Sequence, residues 1–227
     1  AKDVWGKTTT DTQWAIRDEL NDQEVKSLVI GPAGENLVAF ANVMTGVKNA
    51  GGRTGMGAVM GSKNLKAIAC RGTMDIKIAH PVEALEYNKR FIDQITSAKV
   101  NKTQGTLGTP FIWGATNSWG GVRTRNFQYN QCEYADDIEP EAIDEICEDT
   151  MGPYHMSGCF GCQVHCRAQY RIPSGPLKGK YDEGPEYTSQ GAFGSETDTP
   201  RAETVLVGNH LVDQYGMDNL ETGSLIS

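Results

Sequence analysis

The sequence predicts an α+β fold. Short apolar runs broken by Gly and Pro fill the chain to about residue 78, segments of helical period follow from residue 82, and a cluster of cysteines lies inside the helical part. Strand-length apolar runs bounded by turn residues, set against longer runs with apolar positions three and four apart, separate the two kinds of element. At 227 residues the chain can bury a core of its own, as one large domain or parts of two.

In chain order, Thr10 and Asp11 can cap a helix over 9–22, with Trp14, Ile16 and Leu20 as its apolar positions. Residues 25–30 read as a buried strand that Gly31-Pro-Ala-Gly-Glu-Asn36 breaks, and 37–43 suits strand or helix. Residues 49–63 hold five glycines together with Arg53 and Lys63. Exposed backbone N–H groups beside fixed cations suit a phosphate or an anionic heterocycle, although neither a P-loop nor a dinucleotide fingerprint is present. Strands at 64–70 and 74–78 follow, then a boundary at His80-Pro81 and a helix over 82–99 with Leu85, Phe91, Ile92 and Ile95 on one face. His80 serves as a turn or cap. Arg123 and Arg125 lie in a Gly/Thr/Asn-rich stretch, where stacking on a flat ligand competes with the commoner loop arginine bonded to carbonyls. An acidic, solvated helix covers 138–150. A helix over 200–215 ends at Gly216 in a left-handed cap, and 219–227 opens another element.

The most specific signal is Cys159-Phe-Gly-Cys162-Gln-Val-His-Cys166. Cysteines this close pair with each other only under strain, and six cysteines with three clustered fit a metal site in a reducing compartment better than a disulfide framework. Structural zinc needs a second knuckle or two histidines at a set spacing, which the sequence lacks; gaps of two and three with one distant partner suit an iron–sulfur cube. Cys70, Cys132 and Cys147 are candidates for the fourth ligand, as is a cysteine beyond this chain. Cys70 closes an apolar run and reads as a small buried thiol. His155 and His165 flank the run and suit either cluster tuning and proton transfer or an ordinary surface role. Glu186, inside Gly184-Pro-Glu-Tyr187, suits a shifted acid or base near a metal, or a carboxylate at a helix start. Asp213 and Asp218 around Gly216-Met217 suit a donor-rich ligand edge or a plain helix stop.

A formal charge of −8 and a pI near 5.0 argue against nucleic acid or an anionic membrane as partner. No run approaches the ~20 apolar residues of a membrane span, and the start, Ala1-Lys-Asp-Val-Trp5, has no secretory h-region, so a cytoplasmic location is expected. Both ends read as cut, which predicts the interior of a longer protein.

Taken in order, Gly31-Pro-Ala-Gly-Glu-Asn36, the run from Gly52-Arg-Thr-Gly-Met-Gly-Ala-Val-Met-Gly-Ser-Lys to Ile68, Arg123-Thr-Arg-Asn-Phe-Gln128, the cysteine run, Gly184-Pro-Glu-Tyr187 and Asp213-x-x-Gly-Met-Asp218 resemble the aldehyde ferredoxin oxidoreductase family over nearly the whole chain. The resemblance implies the end of a β-rich pterin-binding domain at 1–78 and the start of a helical domain at 79–227. It implies tungsten or molybdenum on two pyranopterins, with Mg2+ bridging their phosphates, and a [4Fe–4S] cluster on Cys159, Cys162 and Cys166. Arg53, Thr54, Gly55 and Gly57 take the place of pterin contacts, as do Asp213, Gly216, Met217 and Asp218, with Met217 replacing a leucine. Glu186 takes the place of the carboxylate near the metal. Aldehyde oxidation to carboxylate, with electrons leaving for ferredoxin or an iron–sulfur subunit, is the activity implied, in a homo- or hetero-oligomer.

The chain departs from the pattern in three respects: a second D-x-x-G-L element with the fourth cysteine is absent, so is a later histidine, and 163–165 and 171–180 differ from simple aldehyde oxidisers. The last leaves room for the tungsten subunit of class II benzoyl-CoA reductase, which reduces an aromatic acyl-CoA ring. An iron–sulfur electron-transfer or scaffold subunit is the reading from another class, and a zinc-stabilised domain is the weakest.

Overall fold

The computed structural model describes residues 2–151 and 155–227, without the side chains of 148–155, so the His155 side chain lies outside the described residues. The first third forms a four-stranded antiparallel sheet in the order β3-β2-β1-β4, from β1 (Lys26–Ile30), β2 (Val43–Thr45), β3 (Asn49–Gly51) and β4 (Ala67–Cys70). β1 pairs Leu28 with Ile68 on one side and Val29 with Met44 on the other. Val29, Ile30 and Met44 are fully buried, as the apolar run of β1 predicts. Three helices accompany the sheet: α1 (Thr9–Leu20), α2 (Pro32–Glu35) and α3 (Met56–Ser62). α2 and α3 cross so closely that a Cβ on Gly61 would stand 1.9 Å from the carbonyl oxygen of Gly34, a contact that only glycine permits.

α1 forms where its sequence predicts, but Thr8 caps it, accepting from Asp11 N at 3.2 Å. Its inward face is polar. Trp14 and Leu20 are more than half exposed, while Thr9, Thr12 and Gln13 are buried. Hydrogen bonding decides this: the Gln13 amide donates to Gly46 O at 2.7 Å and accepts from Gly46 N at 2.8 Å, fixing the turn between β2 and β3. The Thr9 hydroxyl donates to Asp213 O at 2.7 Å. Buried Lys66 and Glu35 form an ion pair beneath α2; burial lowers the pKa of Lys66, and Glu35 opposes the shift.

Three sequence expectations fail here. No strand forms at 74–78: the chain leaves β4 through an irregular segment in which Met74 and Ile76 are almost fully exposed. Residues 37–42 are neither strand nor helix but a loop into β2. Cys70 is exposed at the sheet edge rather than buried.

The remainder is helical around a small antiparallel sheet, β5 (His155–Ser157), β6 (Arg167–Arg171) and β7 (Tyr181–Glu183), in the order β5-β6-β7. α4 (Pro81–Ser97) and α5 (Lys99–Leu107) lead to a 3₁₀ turn, Thr109–Ile112, and α6 (Trp113–Ser118). The apolar stripe of α4 forms as its period predicts, yet the helix buries no residue among those described. α7 (Pro140–Met151) is more than an acidic solvated helix, because Ile143 and Cys147 join Tyr170, Ile172 and Leu206 in the core. Cys132 packs with Trp113, Val122 and Ile138 in a second cluster. Their burial pushes the thiols of Cys132 and Cys147 upward, Cys147 to about 12, which suits core cysteines rather than exposed ligands. α8 (Tyr187–Gln190) runs into a π-turn, Gly191–Ser195; α9 (Ala202–Tyr215) and α10 (Asn219–Ile226) close the fold. Gly216 takes the left-handed cap at φ 72° that its position predicts.

The arginines of the 105–130 stretch bond carboxylates rather than carbonyls or a ligand. Arg123 Nε lies 3.0 Å from buried Glu196, and Arg125 bridges Asp198 and Glu133 at 2.9 and 2.6 Å. Trp113 is 1% exposed, meets Tyr187 edge to face and donates to Ala135 O at 3.0 Å. Trp113→Ala should cost about 3–5 kcal/mol, read as a fall in denaturant midpoint at constant slope; a loss under about 1 kcal/mol would mean that this core does not hold the helical part together.

Candidate active site

The sheet and helical parts meet along two short stretches. Asn42 N donates to Gly216 O at 2.7 Å and Asp218 N to Phe40 O at 3.1 Å, with Ala41 paired to Met217. These bonds lay the Asp213–Asp218 loop along residues 40–42. Beside them is a cavity of about 130 Å³, lined by Asn42, Lys48, Glu186, Asn209, Asp213 and Asp218, with Gly52, Ser189 and Met217 among its other walls.

Lys48 enters from the turn that Gln13 fixes and ion-pairs with Glu186, whose other oxygen accepts from the Thr109 hydroxyl. Glu186 occupies the N-cap position of α8, makes no side-chain capping bond there, and lines the cavity. Burial lowers the pKa of Lys48 and Arg167 adds to the shift, while Asp213, Cys166 and Glu183 oppose it. Burial thus weakens the hold of Lys48 on its proton, and the surrounding anionic groups restore part of that hold.

Behind the cavity lies a buried polar network. The Asn209 amide donates to Asp213 Oδ2 at 3.2 Å. Asp182 is fully buried on β7 and lies 2.6 Å from His210 Nδ1. Burial raises Asp213 well above the usual carboxylate range, and the neighbouring Asp182 raises it further. Asn209 is held by Ser189 at 2.8 Å and Glu183 O at 3.1 Å. Arg167, next after the last clustered cysteine, pairs with Glu183 at 3.1 Å.

The structure brings Glu186, Asp213, Met217 and Asp218 to one cavity. Arg53 stands at the rim, 3.6 Å from Asp218 and 3.0 Å from Glu221. Thr54, Gly55, Gly57 and Gly216 are not in the wall. Gly55 and Gly57 are sites of close backbone packing: a Cβ would meet Ala39 O at 2.4 Å or Asn42 O at 2.5 Å. Cys159, Cys162 and Cys166 are free thiols in the loop between β5 and β6, where Cys162 N donates to Cys159 O at 3.0 Å and His165 has φ 55°. Lys48, Asn42, Asn209, Asp182 and His210 carried no motif; of these, only Asn209, four residues before Asp213 on the same helix face, could have been noticed.

The donor set suits a pterin. Asn42 Oδ1 is buried and has no hydrogen-bond partner, and it lines the same cavity as Asp213 and Asp218. An N–H-bearing heterocycle edge would satisfy such acceptors. Among the described residues no three His, Cys, Asp or Glu side chains are placed to hold a single metal ion. A cube binds one thiolate per iron, so three cysteines of one loop suit it without meeting at a point.

Residues 1–72 match the sequence model "Aldehyde ferredoxin oxidoreductase, N-terminal domain", and 86–227 match "Aldehyde ferredoxin oxidoreductase, domains 2 & 3". The chain belongs to the aldehyde ferredoxin oxidoreductase family. It is 36% identical over 231 residues to the tungsten-containing aldehyde ferredoxin oxidoreductase of Pyrococcus abyssi, covering all of this chain and 36% of that one. An aliphatic sulfonate oxidoreductase, WOR-like subunit, of Pyrococcus furiosus is 30% identical over 205 residues, 90% of this chain and 32% of that protein. The fold also matches a solved active-site complex BamBC of benzoyl-coenzyme A reductase bound to 1,5-dienoyl-CoA, with TM-score 0.67 and 24% identity over 94% of this chain and 33% of that one. The chain thus spans about a third of the length of these relatives, which are named as oxidoreductases. No helix among the described residues is long and apolar enough to cross a membrane.

The lowered pKa of Lys48 fixes a sign. Between its folded value and the unfolded 10.5, the unfolded chain binds more protons, so this group adds stability as pH rises. The stability difference between parent and Lys48→Met should therefore shift in the parent's favour through the alkaline range, measured by denaturant unfolding at stepped pH; a difference constant with pH would contradict it.

Proposed function

We propose that this chain forms part of a tungsten pyranopterin oxidoreductase that oxidises aldehydes to carboxylates and passes electrons through a [4Fe–4S] cluster to ferredoxin or an iron–sulfur subunit. The observation that carries the reading is the convergence of Asp213, Asp218 and the unpartnered Asn42 carbonyl on one cavity that also holds the Lys48–Glu186 pair. The similarity to tungsten-containing relatives supports the metal. In this reading Asn42, Asp213 and Asp218 accept from the pterin, Arg53 adds a cation at the rim, and Cys159, Cys162 and Cys166 supply three cluster ligands. Thr54, Gly55, Gly57 and Gly216 shape the backbone around these contacts, and Mg2+ would bridge the pterin phosphates. Cys132 and Cys147 are core residues, which leaves Cys70 or a cysteine beyond this chain as the remaining cluster ligand.

The bound metal–pterin supplies the two-electron redox step. Aldehyde plus water gives carboxylic acid, two electrons and two protons, so the protein must take up protons close to the reacting carbon. Glu186 is the acceptor: it stands at the cavity with one oxygen on Lys48 and the other on Thr109, held in a fixed orientation. Lys48, whose burial weakens its hold on a proton, passes protons onward. The 1–78 part then contributes Asn42, Lys48 and Arg53, and the 79–227 part contributes Glu186 and the aspartates, so the site lies between them.

The product of the complete natural gene, isolated without oxygen, should contain tungsten with about four irons per cluster by elemental mass spectrometry. Iron without tungsten or molybdenum would leave an electron carrier, and zinc alone would remove both redox readings. Turnover of simple aldehydes with a viologen acceptor supports aldehyde oxidation; reduction of benzoyl-CoA with no aldehyde turnover would assign the reverse-running reaction instead. Glu186→Gln should lower kcat by roughly 10²–10⁴ at unchanged tungsten content. An unchanged kcat would remove Glu186 from proton transfer.

A further inference from the structure

Arg167 follows Cys166 directly, and its side chain reaches back across the cysteine loop. Its Nε donates to Ser157 Oγ at 3.0 Å and its Nη2 to Gly158 O at 3.0 Å, the two residues just before Cys159. The Ser157 hydroxyl donates in return to Arg167 O at 3.3 Å, where Ser157 pairs with Arg167 across β5 and β6. One side chain therefore ties together the two ends of the segment that carries Cys159, Cys162 and Cys166. The loop between those ends is tight: Gly161 and His165 have φ of 72° and 55°, and a Cβ on Gly158 would stand 2.5 Å from the His165 ring. The third nitrogen of the guanidinium, Nη1, lies 3.1 Å from Glu183 Oε2, and the two side chains are only 15 and 11% exposed.

We propose that Arg167 is a positioning residue for the iron–sulfur cluster: it clamps the cysteine loop shut and holds a fixed positive charge beside it that raises the cluster's reduction potential, with Glu183 offsetting part of that charge. The inference rests on the reading of Cys159, Cys162 and Cys166 as cluster ligands. A guanidinium keeps its charge at any pH that a folded protein tolerates. Reduction adds one electron, hence one negative charge, to a cluster, and a cation nearby favours that state. The three contacts of Arg167 point in three directions from one planar group. A lysine ammonium would keep the charge without reproducing that fork.

The clamp also joins the cysteine loop to the cavity. Glu183 ends β7, the strand that leads through Gly184-Pro185 into Glu186, and its other oxygen accepts from the Tyr181 hydroxyl at 3.1 Å. From the other side the end of α5 closes on the loop. A Cβ on Gly105 would meet Val164 O at 2.5 Å and one on Gly108 would meet Cys166 O at 3.1 Å, while Thr109, the next residue, bonds Glu186. Arg167 and Cys166 both act on Lys48 across the cavity, the first lowering its pKa and the second opposing that shift.

Two readouts on the complete natural gene product separate the charge from the clamp: a dithionite redox titration followed by electron paramagnetic resonance of the cluster, and the iron left after a timed chelator challenge. Arg167→Met is expected to lower the midpoint potential and to speed iron loss roughly 10-fold or more, the scale on which partners behind a ligand act. Arg167→Lys should bring the potential back toward the parent but not the iron retention. Glu183→Gln leaves the bonds to Ser157 and Gly158 in place and removes only the countercharge, so its potential should rise while iron retention stays with the parent. A potential that does not fall in Arg167→Met, or that moves the same way in Arg167→Met and Glu183→Gln, would overturn the proposal. Should Arg167→Met fail to fold or to load iron, Glu183→Gln decides: a raised potential upholds the proposal and an unchanged one overturns it. A parent without an iron–sulfur signal would remove the cluster reading and the inference together, whereas a parent with about four irons per cluster and a potential indifferent to these charges would remove the inference alone.

Discussion

Two backbone hydrogen bonds, between Asn42 and Gly216 and between Asp218 and Phe40, hold the rest of the site in place. They set the loop after α9 against the loop before β2 with the spacing of a strand pair, so residues far apart in sequence come to face one cavity. Their geometry depends on Gly216 taking a left-handed cap, which turns the chain from α9 back along residue 41. A Cβ on Gly31 would collide with Tyr215 O at 2.1 Å, so the contact also needs glycine on the opposing side. The constraint is therefore steric and backbone-based before it is electrostatic.

Charge is distributed around that frame according to burial. Where the cavity opens, Lys48 pairs with Glu186, and Arg53 pairs with Asp218 and Glu221. Behind it, Asp182 and His210 are removed from water, and burial raises the carboxyls of Asp182 and Asp213, because isolated buried charge is costly. One site thus holds cations and carboxyls set apart by how far each is buried. Such separation of protonation states by environment is what acid–base chemistry at neutral pH requires.

Much of the fold was legible because it rests on local pattern. The apolar run of β1, the period of α9 and the Gly216 stop each specify their element without help from elsewhere. The failures share a cause. Residues 74–78 have a strand's composition but no strand beside β4 to complete a ladder, and Trp14 lies outward because Gln13 and Thr9 have hydrogen-bonding work inward that hydropathy does not register. In the site, Glu186, Asp213 and Asp218 were legible as motif residues. Lys48 was not: it lies 138 positions from Glu186 and sits in an unremarkable turn. Asp182 and His210 were hidden for the same reason, their meaning arising only when β7 packs against α9. Gly55 and Gly57 also serve close packing against residues 39–42, a role that their glycine-rich setting alone does not specify.

The measurement that tests the central claim most directly is an experimental structure of the complete natural gene product, prepared without oxygen and with its cofactors. The account predicts heterocycle density against Asn42, Asp213 and Asp218, with Arg53 at its edge and Glu186 directed toward the heavy metal. Heavy-metal density elsewhere, with this cavity filled only by the Lys48–Glu186 pair, would contradict it.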